Sequence, residues 1–120
     1  MRFMVMVRMT AEMEAGPAPR KEDLEEMGAF NDSLKRYGIT ILEAEGIQPT
    51  SKAVRVKFDG GKPTVRDGPF AETKELIAGF WLLEAESKEV VVERFRHVPF
   101  ERGEEIEIRQ IFGEDDFADA

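Results

Sequence analysis

Two stretches of this chain are apolar on both faces. In the first, Phe3, Val5, Val7 and Met9 alternate with Met4 and Met6; in the second, residues 78–83 read Ala-Gly-Phe-Trp-Leu-Leu without a polar side chain. An alternating run of this length is a strand, and strands buried on both faces belong in the middle of a sheet. The chain must therefore build a sheet with two central strands and find cover for both of its surfaces.

The elements between them supply part of that cover. From residue 19 to 37 the period changes: Leu24, Met27, Phe30, Leu34 and Tyr37 recur every three or four positions, with charged residues between them. This predicts an amphipathic helix with one buried stripe, with Pro19 as its first residue and Gly38 as its left-handed stop. Residues 39–47 predict a second strand. Val54, Val56 and Phe58 alternate with Arg55 and Lys57, Asp59-Gly60-Gly61 is turn chemistry, and residues 62–66 return as a hairpin partner with Pro63 marking an edge. Ser87 is an N-cap for a second helix reaching about His97, with Val91, Phe95 and Val98 inward. Residues 104–112 alternate around Ile106 and Ile108 as a closing strand.

Strand, helix, strand, inserted hairpin, strand, helix, strand is an α+β order: the ferredoxin-like split βαβ with a β-hairpin insertion. Two helices cover one face of such a sheet. The other, carrying Met4, Met6 and either Trp81 or its neighbours, is left apolar, and an open apolar face of that size marks an interface or a ligand groove. A homodimer packed sheet to sheet, forming a dimeric α+β barrel with a cavity between subunits or beside the sheet, is the expected solution. At 120 residues one domain is expected. It spans residues 1–112, followed by an acidic tail, 113–120, expected to be flexible.

Composition narrows the function. Twenty-five acidic and 17 basic residues give a net charge of −8, without the basic stripe that phosphate neutralisation requires, so direct nucleic-acid binding is not expected. With no cysteine there are no disulfides, thiolate nucleophiles or cysteine zinc sites. The apolar run between Arg2 and Arg8 is too short for a secretion signal or a membrane span, which predicts a cytoplasmic protein with no membrane contact. Cofactor and catalytic motifs are lacking, so neither cofactor nor metal is expected. His97, the lone histidine, falls at a predicted helix end, where polar side chains complement the last carbonyls.

The distinctive stretch is Asp67-Gly68-Pro69-Phe70-Ala71-Glu72-Thr73-Lys74-Glu75. With Phe30-Asn31, Gly38, residues 45–49 (Glu-Gly-Ile-Gln-Pro) and Glu107-Ile108-Arg109, it resembles the DGPF branch of the YCII-related family, over nearly all of residues 1–111. The resemblance implies a dimeric α+β barrel. It also implies either a small organic ligand or a regulatory partnership, since some relatives are fused to sigma-factor domains. The alternative is a cofactor-independent lyase or isomerase acting on a small organic acid. Two departures bear on catalysis: Met27-Gly28-Ala29-Phe30 stands where the wider group carries a histidine, and Val98-Pro99-Phe100 replaces a common Asp-Pro-Phe.

Candidate site residues follow. Asp67 is either a turn residue bonding nearby amides or a carboxylate aimed into a cavity as a general base. Glu72 and Lys74 form either a solvated pair or an acid and a cation at a cavity mouth. Lys74 or Arg109 suits an anionic ligand. Glu45, Gln48, Phe70 and Thr73 complete the expected ligand-binding set. Trp81 and Phe80 are expected in the core or interface.

Overall fold

A computed structural model describes residues 1–117, so residues 118–120 of the expected tail lie outside the described residues. The chain order is β1 (Arg2–Met9), α1 (Ala11–Glu14), α2 (Lys21–Leu34), β2 (Thr40–Gly46), β3 (Val54–Lys57), β4 (Thr64–Asp67), β5 (Leu76–Glu84), α3 (Lys88–Phe95) and β6 (Glu105–Gln110), with short 3₁₀ turns between several of them. Alternation in β1 sends Phe3, Val5 and Val7 to one side, where all three are buried, and Met4, Met6 and Arg8 to the other, where they are half-buried. β5 runs antiparallel beside it, setting Phe3 against Leu83 and Val5 against Trp81. β6 flanks β1 and β2 flanks β5, giving the order β2-β5-β1-β6 with antiparallel neighbours throughout. This is the α+β, ferredoxin-like sheet expected from the two doubly apolar stretches, and they are its central strands.

The helices pack on the Phe3–Val5–Val7 side. Trp81 is 5% exposed there, edge-on to Phe95 at 5.0 Å between ring centres, with Phe30 and Phe100 each at 6.4 Å. Tilted aromatic pairs at such distances add stability beyond their buried area. The indole N–H, which would be costly to bury alone, donates to Asn31 Oδ1 at 2.9 Å. Trp81 thus belongs to the covered face, and its neighbours Phe80 and Leu82 share the open face with Met4 and Met6, as the cross-strand pairs Met6–Phe80 and Met4–Leu82 require.

Several sequence expectations need correction at helix ends. A short helix, α1, follows β1, capped by the Thr10 hydroxyl accepting from Met13 N–H; four residues are too few for periodicity to reveal. The N-cap of α2 is Arg20, so Pro19 lies outside the helix. Its buried residues are Phe30, Ser33 and Leu34, while Leu24 and Tyr37 are 64% and 51% exposed. Leu24 lines an open groove beside the sheet and so stays exposed. Tyr37 lies beyond α2 in a 3₁₀ turn and carries the Arg94 guanidinium 3.9 Å over its ring. Gly38, at φ 75°, ends that turn in the left-handed conformation only glycine adopts freely. Ser87 caps α3 through Val90 N–H, with Val91 and Phe95 buried as expected.

β3 and β4 pair only with each other, as a separate two-stranded sheet. Val54, Val56 and Val65 lie on one face of it and are 47–64% exposed; Arg55 and Arg66, directly opposite one another, share the other face. The molecule is correspondingly flat, 48 × 48 × 19 Å, with a radius of gyration of 16.6 Å. A compact chain of this length has about 14 Å.

Phe95, 2% exposed and edge-on to both Phe30 and Trp81, is the residue whose loss the core can least absorb. Phe95→Ala is expected to lower unfolding stability by about 3–5 kcal/mol, measured by urea denaturation; a loss under about 1 kcal/mol would mean that the aromatic cluster does not organise the core.

Candidate functional site

The main concavity lies where the C-terminal end of β1, the end of β2 and the start of β5 meet the first half of α2. It is a groove of about 920 Å³, closed on its remaining sides by α1 and by the loop after α3. Its floor and walls are apolar, with Val7, Met13, Met27, Ala44, Trp81 and Phe100 among them. Met27 and Asn31 are one helical turn apart and so share a face of α2; the second holds Trp81, and the first presents its thioether beside it.

Charge gathers at the mouth. Arg20 opens α2 and is tied to Asp23 three residues on. The Arg20 backbone N–H donates to Asp23 Oδ2 at 2.9 Å, and its guanidinium lies 3.3 Å from Oδ1. Arg102, from the loop after α3, reaches within 3.9 Å of the same carboxylate. The hydrogen bonds from Arg20 hold the Asp23 carboxyl below its ordinary value, with Arg102 adding a smaller push the same way. Asp23, Arg20, Arg102, Met27 and Met13 were not among the residues expected at a site. The spacing of Arg20 and Asp23 is the one local signal that could have found them, since an acid three residues past an N-cap marks a capping box.

The expected site residues do not converge. Glu45 lines the groove; Gln48 is exposed between the lining residues Ile47 and Pro49. Asp67, Phe70 and Glu72 share a separate shallow depression of about 440 Å³ with Arg66. Thr73 and Lys74 are exposed in the turn before β5; Lys74 sits at φ 55° and its carbonyl accepts from Arg8 Nε at 2.8 Å. Arg109 projects from the open sheet face, 3.8 Å from Glu107. It pairs with Met4 of β1, four residues or about 13 Å along the strand from Arg8, so it is remote from Lys74. His97, exposed after α3, lines neither concavity.

The residues from 67 to 72 form a clasp at the base of the hairpin. Asp67 ends β4, and Gly68 N–H donates to Ala53 O at 2.9 Å. A Cβ at residue 68 would collide with the Thr50 carbonyl, so only glycine fits. Phe70 is buried beneath both hairpin guanidiniums, with Arg55 3.7 Å and Arg66 4.8 Å from its ring centre. Like charges directly opposite across a strand pair repel, and Glu72 compensates: it accepts from Arg55 and lies 3.6 Å from Arg66. The Thr50 hydroxyl completes the knot, donating to Glu14 and accepting from Phe70 N–H at 3.3 Å. Since Glu14 also lines the groove, clasp and groove share a wall.

No group of three or more metal-ligating side chains occurs among the described residues, and no helix among them is long and apolar enough to cross a membrane. A four-stranded antiparallel sheet backed by two helices, with a groove at one end of their interface, places the chain in the ferredoxin-like class of α+β domains. Residues 1–115 match the YCII-related domain, and the chain belongs to that family. It is also 46% identical over 39 residues to an uncharacterized protein of Rhizobium meliloti (strain 1021), a stretch covering 32% of this chain and 32% of that protein.

The Arg55 hydrogen bond holds the Glu72 carboxyl below its ordinary value of 4.5. A carboxyl depressed in the folded state stabilises the fold above that ordinary value and loses the contribution as pH falls through its native one. The thermal midpoint of Glu72→Gln is therefore expected to lie below wild type at neutral pH and to converge on it in acid. Parallel midpoint curves across that range would show that the clasp contributes no charge-linked stability.

Proposed function

We propose that this protein binds a small organic molecule in the groove between α2 and the sheet, and that it does so as a homodimer. The observation that carries the binding reading is the groove itself. It has an apolar floor within the volume range of ligand sites, and a tryptophan wall is fixed in orientation by Asn31. The stretch Met27-Gly28-Ala29-Phe30 supports binding over proton transfer, because the family resemblance places a histidine in it and here it gives the groove wall Met27 instead.

The dimer rests on unmatched apolar surface. Met4, Met6, Phe80 and Leu82 form a half-buried patch on the sheet face that has no helix, and Val54, Val56 and Val65 turn outward on the hairpin. A two-stranded hairpin is marginal in water by itself. The accessible surface is 8914 Å², whereas a compact monomer of this size exposes about 6,600 Å². The excess is of the order that a permanent dimer buries.

Trp81 is the chain's one tryptophan and stands in the groove wall, so its fluorescence reports occupancy. In a screen of small organic compounds, ligands are expected to change that emission saturably, and Met27→Phe, which fills the groove without adding an indole, is expected to weaken them about tenfold or more. Binding that Met27→Phe leaves unchanged would move the site elsewhere. Sedimentation at micromolar concentration is expected to give a dimer, converted to monomer by Leu82→Arg on the open face; a monomeric wild type would remove the homodimer from the proposal.

A further inference from the structure

The groove's charge sets the class of molecule it takes. Glu14, Asp23, Glu26, Glu101 and Glu104 bring five carboxylates to its lining, against the two guanidiniums of Arg20 and Arg102. Arg20 is hydrogen-bonded to Asp23 and lies within 3.6 Å of Glu22 as well, and Arg102 is 3.9 Å from the same Asp23 carboxylate. Neither is left as a free anchor for an anion. By contrast, Glu26 and Glu101 are exposed and have no ion-pair partner among the described residues. They come from two different elements, α2 and the loop after α3, whereas Glu45, directly opposite Phe80, points to the other face of the sheet. Carboxylates around an apolar cleft focus their field into it, because the low-dielectric walls do not screen them as water does. An organic acid entering such a cleft would meet repulsion on two sides. An organic cation would meet attraction there, and the wall of Trp81 and Phe100 behind it suits an apolar body.

We infer that the groove selects an amine or other organic cation with an apolar body, in preference to the small organic acids expected from sequence. The inference rests on the proposed binding function and adds to it the sign of the ligand's charge. The shallow depression at residues 66–72 offers no anion site either: its one lining guanidinium, Arg66, stands beside the carboxylates of Asp67 and Glu72.

Three near-isosteric probes separate the possibilities: 2-phenylethylamine, 2-phenylethanol and phenylacetate, each titrated into the full-length protein at low salt with Trp81 emission and amide NMR shifts as readouts. The amine is expected to bind at least about tenfold more tightly than the alcohol, and the acid most weakly. The amine's advantage is expected to shrink as salt is raised toward 1 M, where the screening length falls to about 3 Å. Glu26→Gln with Glu101→Gln is expected to reduce amine affinity about tenfold and leave the alcohol unchanged. If the acid or the alcohol binds in the groove as tightly as the amine, the charge inference fails and the binding function stands. If none of the three perturbs groove residues, both fail.

Discussion

The indole of Trp81 is where the two halves of this structure are joined. It sits on a central strand, is packed edge-on by Phe95 from α3 and by Phe30 from α2, and has its polar N–H satisfied by Asn31. Without that acceptor the N–H would be buried and unpaired, at a cost comparable to the whole worth of a good core contact. The same bond fixes the distance between α2 and the sheet at one end of their interface, and the groove is the space that this spacing leaves. Core and candidate site are thus two sides of one side chain.

Much of the fold was legible because its signals are periodic. The alternation of Phe3, Val5 and Val7 against Met4 and Met6, and the unbroken apolar run through Trp81, are enough to identify the central strands. Periodicity cannot tell a residue that fills a core from one that lines a groove. Leu24 has the spacing of a core residue and is nonetheless exposed, because it lines the groove. The N-terminus of α2 misleads for a related reason: proline is a good first helical residue, yet Arg20 and Asp23 make a reciprocal cap one residue later and set the boundary there.

The site was less legible because charged residues look alike whether they meet ligand or one another. Asp67, Phe70 and Glu72 stand out in the sequence as a compact polar motif around a glycine and a proline. In the fold they tie a hairpin to its base, with Gly68 admitted only for lack of a Cβ and Glu72 neutralising two arginines that alternation forces side by side. The groove is assembled differently, from ordinary-looking residues of separate elements: three methionines, one asparagine and parts of three strands. Nothing local distinguishes Met27 from any other core methionine; its neighbours across the groove do.

The hairpin shows the same logic from the outside. Its arginine face turns inward onto Phe70 and Glu72, so its valine face must turn outward. An amphipathic hairpin would ordinarily bury its apolar side, and here the inverted arrangement holds because the guanidiniums have a ring and a carboxylate to engage. That leaves apolar surface on the arm as well as on the sheet, on top of an acidic chain whose net charge of −8 would otherwise keep copies apart. Association then depends on short-range apolar contact overcoming long-range repulsion. Since added salt screens the repulsion and leaves the contact intact, pairing of the chains should strengthen with ionic strength while attraction of a cation into the groove weakens, and the two equilibria can be told apart by that opposite dependence.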